Sequence, residues 1–173
     1  SKRLIASIQS FKGGNRCDKV MWAASGSEAV QKALWACLHR DPERDIILAT
    51  RYGFHGKKGL AGAVTGSETD ADRYPRVKFI SFPRTECDDI SKADDTLDVS
   101  VYQKELEEMW TEYGTRINCL ITEPYLGGGG SYHPQVAYHK VLQDFCRAHD
   151  IMLILDEVQA NFGRTGCMYA FEK

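Results

Sequence analysis

The sequence predicts an α/β fold, a mostly parallel sheet flanked by helices. Short apolar runs alternate with segments whose apolar residues recur at helical spacing, the pattern of strands joined by crossover helices. No repeat, low-complexity tract or linker divides the chain, and 173 residues suffice for one domain with a sizeable core.

The first residues are already amphipathic (Leu4, Ile5, Ile8, Phe11), as if the chain were entered partway through a longer protein. Residues 19–24 (KVMWAA) read as a buried strand. Ser25-Gly26-Ser27-Glu28 follows as a capping box, in which the Ser25 hydroxyl and the Glu28 carboxylate satisfy free N–H groups. Val30, Ala33, Leu34, Cys37 and Leu38 then continue a helix to about Arg40. Residues 45–50 (DIILAT) and 77–82 (VKFISF) are the next strands, with a glycine-rich loop and a short helix between Gly53 and Gly66. Residues 88–98 form an acidic surface loop. Tyr102, Leu106, Met109, Trp110 and Tyr113 mark one face of a helix. Residues 118–122 (NCLIT) make a strand broken off by Glu123-Pro124 and the glycines 127–130; Tyr138, Val141, Leu142 and Phe145 mark the next helix. The last strand, 151–155 (IMLIL), runs into Asp156-Glu157-Val158-Gln159.

Composition narrows the function. With 43% hydrophobic and 27% charged residues the chain has the balance of a globular protein, and a net charge of −2 gives no general attraction to nucleic acid or anionic membrane. No apolar run is long enough to span a bilayer and no signal-peptide pattern opens the chain, so neither a membrane nor nucleic acid is expected as a partner and a cytoplasmic location is. Six scattered cysteines, none in a C-x-x-C pair, read as free thiols in a reducing compartment. Cys146 and His149 lie one helical turn apart, but no second pair at ligand spacing completes a metal site, and no metal is expected.

In open α/β sheets ligands bind beyond the carboxyl ends of the strands. Four expected strand ends carry unusual residues: Ser25-Gly26-Ser27, Gly53-Phe54-His55-Gly56, Glu123-Pro124, and Asp156-Glu157-Val158-Gln159. Together they offer a helix N-terminus for an anion, an aromatic face and several acidic or hydrogen-bonding groups. Each also has a plainer meaning: Ser-Gly-Ser as a cap, Phe54 as core, Glu123 as a cap of the glycine turn. A strand ending in Asp-Glu also occurs in magnesium-dependent triphosphatases, which need G-x-x-x-x-G-K-[S/T] upstream. Here Gly56-Lys57-Lys58 has Lys58 in the Ser/Thr place and Arg51 in that of the leading glycine, so that reading fails.

Four segments in register, Ser25-Gly26-Ser27-Glu28-Ala29, Gly53-Phe54-His55-Gly56, Ile121-Thr122-Glu123-Pro124 with its glycine tail, and 153–166 (LILDEVQANFGRTG), resemble the class III aminotransferases of the ornithine, acetylornithine and 4-aminobutyrate group. The resemblance covers essentially the whole chain. It implies that residues 1–173 are part of the pyridoxal-phosphate-binding large domain of fold type I, with an incomplete sheet. It also implies an enzyme that moves an amino group from an amino acid or amine to an oxo acid and works as a homodimer. Gly26 and Ser27 would hold the cofactor phosphate. Phe54 and Val158 would flank the ring. Asp156 would be the catalytic carboxylate at the pyridine nitrogen, Gln159 would reach the phenolic oxygen, and Glu123 would support that edge. His55 would shape the loop, and Arg164 would be structural or interfacial. The glutamate that often stands five residues after that of the Glu-Pro pair is replaced by Gly128, so the amino donor is not specified. The family's Schiff-base lysine lies one strand beyond Lys173, and Lys57, Lys58 and Lys173 are poor substitutes. The chain alone is therefore expected to be inactive, with a non-catalytic cofactor- or partner-binding module as the alternative. In the family two later strands separate the strand before the phosphate loop from the aspartate strand. Here the two are expected to pair directly, or their open edges to drive self-association.

Overall fold

The computed structural model of the chain describes residues 1–70, 74–92 and 96–172. Four strands, β1 (Ile46–Thr50), β2 (Val77–Ile80), β3 (Ile117–Thr122) and β4 (Met152–Leu155), form one sheet in the order β2-β1-β3-β4, and every pairing is parallel. Around it lie helices α1 (Lys2–Gln9), α2 (Gly26–Arg40), α3 (Gly59–Ala63), α4 (Ser100–Tyr113) and α5 (Val136–Ala148).

Alternation along β1 divides the interior into two cores. Ile47 and Ala49 pack with Val30, Leu34 and Cys37 of α2 and Ala61 of α3. Ile46 and Leu48 pack with Tyr102 and Leu106 of α4 and Tyr138, Leu142 and Cys146 of α5. Burial on both faces is why β1 is written as an unbroken apolar run. Along β3 the register slips: Ile46 pairs with Ile117 but Ile47 with Cys119, which leaves Asn118 as a bulge. The Asn118 amide donates to the carbonyls of Asp41 (3.2 Å) and Arg44 (2.9 Å), so a polar side chain is tolerated inside a buried strand. Arg44 clasps the same edge of the sheet, donating to the carbonyls of Ile117 (2.8 Å), Asp150 (2.8 Å) and His149 (3.2 Å).

The long helices follow the apolar spacing in the sequence. The capping box at the start of α2 is formed in a shifted version: Glu28 N donates to Ser25 Oγ at 3.2 Å, while Glu28 Oε2 accepts at 2.7 Å from Ala24 N, one residue before the cap. Gln31, one turn on, caps the next helix, its Oε1 accepting from Leu60 N (2.8 Å) and Ala61 N (3.4 Å). No helix among the described residues is long and apolar enough to cross a membrane.

One expected element is absent. Residues 19–24 are not a strand, pair with no strand among the described residues, and leave Trp22 65% exposed. The apolar run becomes a strand only if a sheet neighbour completes it, and β4, whose own Met152 is exposed, does not reach it. Direct pairing with the aspartate strand therefore does not occur. The segment is instead tethered to α2, where Lys32 Nζ donates to the Trp22 carbonyl at 2.6 Å and Glu28 holds the Ala24 amide.

The core makes one clear demand. Leu34 is fully buried between α2 and the sheet. Leu34→Ala should cost about 2–5 kcal/mol in urea unfolding, the range for a truncated core leucine. A loss below about 1 kcal/mol would mean that α2 does not pack as described.

Candidate functional site

Because the strands are parallel, the loops that follow β1, β3 and β4 leave the sheet at one edge. Thr50 and Thr122 end β1 and β3 and join by hydroxyls 3.2 Å apart in full burial. Asp156 N donates to the Thr122 carbonyl at 2.9 Å, extending the β3–β4 ladder by one residue and fixing Asp156 at its tip.

The Asp156 carboxylate has two protein partners. Oδ1 accepts from Val158 N at 3.1 Å, and Oδ2 lies 2.7 Å from His55 Nδ1. Both side chains of the His–Asp pair are almost completely enclosed. A carboxylate oxygen accepts, so the Nδ1–H tautomer of His55 is the one that suits this contact. His55 Nε2 is buried without a partner beside Gly53, where a Cβ would come within 2.7 Å of it. The loop around His55 is braced by Thr65, whose Oγ1 accepts from His55 N at 2.8 Å and donates toward Ala61 O (2.9 Å) and Gly56 O (3.0 Å).

Glu123 ties two loops together. Its Oε1 accepts from Phe54 N at 2.8 Å and its Oε2 from Gly127 N at 3.1 Å, which links the segment after β1 to the glycine turn after β3. Burial pushes the Glu123 carboxyl above its usual range, while the two amide hydrogen bonds pull it back. With both oxygens committed, Glu123 acts on its surroundings through Phe54, a residue that is 48% exposed. The turn is bare because it is crowded: a Cβ on Gly127 would overlap the Gln159 amide, and one on Gly128 would sit 3.0 Å from Phe54 Cβ.

At the start of α2, the N–H groups of Gly26 and Ser27 have no hydrogen-bond partner among the described residues, an open positive helix end. This end touches the other loops. A Cβ on Gly26 would lie 3.2 Å from Val158 Cγ2, and Ser27 Oγ packs so closely on Gly56 that a Cβ there would come within 2.5 Å. The sequence-expected residues Gly26, Ser27, Phe54, His55, Glu123, Asp156, Val158 and Gln159 thus gather at one end of the sheet. Others stand apart. Lys57 and Lys58 are exposed on the way to α3, Arg164 is exposed beyond the aspartate loop, and Lys173 lies outside the described residues. Cys146 is buried in the core, and the His149 ring stacks on Trp110 at 3.8 Å.

Three features were not foreseen from the sequence. The His55–Asp156 bond crosses 101 residues, and no local pattern announces it. Glu157 accepts from Ala170 N (3.0 Å) and Phe171 N (2.8 Å), folding the last described turn back beside the site; an acid following Asp156 was its only trace. Arg84 lies against the rings of Tyr52 and Tyr132, each 4.9 Å from its Cζ.

The family described as aminotransferase class-III matches residues 2–173. Acetylornithine aminotransferase of Clostridium acetobutylicum is 28% identical over 162 residues, which cover 90% of this chain and 37% of that protein. The mitochondrial acetylornithine aminotransferase of Candida glabrata is 30% identical over 178 residues, covering 98% and 38%. An (S)-enantioselective omega-transaminase from Thermomicrobium roseum superposes with a TM-score of 0.82 at 28% identity, covering 99% of this chain and 40% of that one. A PLP-bound amine transaminase from an uncultivated Pseudomonas species gives 0.70 at 29% identity, covering 86% and 36%. The chain spans less than half the length of each of these relatives. The fold is shared and the family match runs over nearly every residue: the chain belongs to the class-III aminotransferase family.

Proposed function

We propose that in the intact protein these residues hold pyridoxal phosphate for an aminotransferase that moves an amino group from an amino acid or amine to an oxo acid. The observation that carries this reading is the enclosed His55–Asp156 pair, set at the same sheet end as the unpartnered amides of Gly26 and Ser27. The donors fit the group. Amides at a helix start suit a phosphate, an enclosed carboxylate suits a protonated pyridine nitrogen, and Phe54 and Val158 supply apolar surface for the ring faces.

Bound there, the cofactor supplies an electron sink for the pair released at the substrate carbon. Asp156 holds the proton at the ring nitrogen that makes the sink effective. His55 is a positioning residue, aiming that carboxylate through Nδ1. Gln159, lying on the glycine turn, is assigned to the phenolic oxygen, and Glu123 keeps Phe54 at its post. Residues 1–173 are then part of the cofactor-binding large domain. Lys57 and Lys58 are exposed on the way to α3, and we assign the family's Schiff-base lysine to the remainder of the intact protein, so the chain by itself is expected not to transaminate. We further assign the intact enzyme to a cytoplasmic homodimer. Six unpaired cysteines suit a reducing compartment, and exposed Phe162 and Met168 offer apolar surface for a second subunit to cover.

In the full-length protein, Asp156→Asn should lower kcat by at least about 100-fold, the scale of losing one preorganised electrostatic partner, and should alter the visible absorbance of bound cofactor. His55→Phe should move the pH profile of kcat and also lower the melting temperature, because it leaves the enclosed Asp156 carboxylate short of a partner. Unchanged turnover and spectrum in Asp156→Asn would sink the reading.

Glu123 gives a pH signature. Burial favours its proton, so the folded chain binds that proton more tightly than the unfolded chain. The stabilisation from this group is fully present below the unfolded pKa and is lost as pH rises through the raised folded one. Wild type should therefore lose stability relative to Glu123→Gln as pH rises above about pH 4, followed by urea denaturation. A pH-independent difference between the two proteins would show that Glu123 is not desolvated.

A further inference from the structure

Cys37 and Cys119 meet inside the molecule, between α2 and β3. Cys37 follows Val30 and Leu34 on the face of α2 that packs on the sheet, and it is 8% exposed. Cys119 is fully buried, in register with Ile47 of β1 and Met152 of β4. It faces α2 only because of the bulge at Asn118. In a regular strand Ile117 and Cys119 would share a face, since alternate residues do. Here Ile117 belongs to the core formed with α4 and α5, and Cys119 to the core formed with α2. The extra residue turns the strand over between them, and the bonds from the Asn118 amide to two carbonyls hold it there.

Within that core the two thiols are hydrogen-bonded to each other. The Cys119 S–H donates to Cys37 and draws the Cys37 thiol below its ordinary range, against the effect of burial, and the Arg40 guanidinium one turn on pulls the same way. Cys119 moves in the opposite direction, raised by that hydrogen bond and by its burial. The pair is therefore unequal. One sulfur near the surface favours the thiolate, and its enclosed partner keeps a proton. A slightly exposed thiolate beside a cation is the reactive form of cysteine. The remaining four differ: burial raises the thiols of Cys87 and Cys146, and Cys17 and Cys167 lie outside the cores.

We propose that Cys37 and Cys119 form a peroxide-driven, reversible disulfide that fastens α2 to the sheet. The oxidant is hydrogen peroxide. The Cys37 thiolate attacks one peroxide oxygen and the O–O bond breaks. Hydroxide leaves, neutralised by the proton that Cys37 gave up on ionising, and Cys37 becomes a sulfenic acid. The Cys119 sulfur then attacks the Cys37 sulfur, the S–O bond breaks, and the hydroxyl departs as water with the Cys119 proton. Two thiols lose two electrons in all, and the peroxide gains them. A dithiol reductant reverses the step by exchange. Neither cysteine is among the residues assigned to the cofactor, so the switch stands apart from the aminotransferase reading.

The test treats the full-length protein with excess hydrogen peroxide, blocks remaining thiols with iodoacetamide, and analyses unreduced peptides by mass spectrometry. A peptide pair joined through Cys37 and Cys119 is expected, and dithiothreitol should separate it. The melting temperature should rise by about 5 °C on oxidation, because a cross-link over a long loop restricts the unfolded chain. In Cys119→Ala the joined pair and the rise should both vanish, and dimedone should capture Cys37 as its sulfenic acid. Arg40→Met, which keeps both cysteines, should slow the loss of the Cys37 thiol several-fold and serves where Cys119→Ala does not fold. Cys37 still fully alkylated after peroxide, or joined to a cysteine other than Cys119, would overturn the proposal. So would a Cys37–Cys119 link that leaves the melting temperature unchanged or lower, since α2 would then not be fastened.

Discussion

The 2.7 Å contact between His55 Nδ1 and Asp156 Oδ2 is the tie on which the rest of the site depends. It joins the loop after β1 to the loop after β4 across the intervening β3, in a place from which water is almost excluded. In such a setting a charge-assisted hydrogen bond has few competitors and an unpaired carboxylate would be costly, so the bond fixes both loops and the direction of the carboxylate. Glu123 does the same one layer away with two backbone amides. Two buried acids, each satisfied by a neighbouring loop, turn three strand ends into one wall.

The sheet explains why those acids stand where they do. A parallel ladder sends every chain reversal over a face of the sheet, which gathers the carboxyl ends of the strands on one edge. The helices that carry the reversals then cover both faces, and the side chains of β1 divide evenly between the two cores. Positive helix ends meet the same edge, so unpartnered amides and enclosed carboxylates become neighbours without any sequence proximity.

Much of this was legible in the residues. Ser25 and Glu28 announced the start of α2 because a capping box is a local device, complete within a few positions. Asp156 stood out because an acid directly after an apolar strand must lie at a sheet edge. Residues 19–24 misled because an apolar run specifies burial, whereas a strand also needs a neighbour, and neighbours are set by topology. His55 could be placed on a loop but not paired, since its partner is fixed only once β1, β3 and β4 align. The stack of Tyr52, Arg84 and Tyr132 was beyond reach for the same reason, with the added difficulty that a tyrosine in left-handed backbone leaves no mark in composition or spacing.

Gln31 gives the architecture a mechanical linkage. It projects from the helix whose first turn offers open amides and accepts from the leading amides of α3, which lies in the loop that carries Phe54 and His55. A small axial slide of α2 would drag α3 with it through this one side chain, so the open amides of α2 and the loop that carries Phe54 and His55 are coupled as two jaws on one screw.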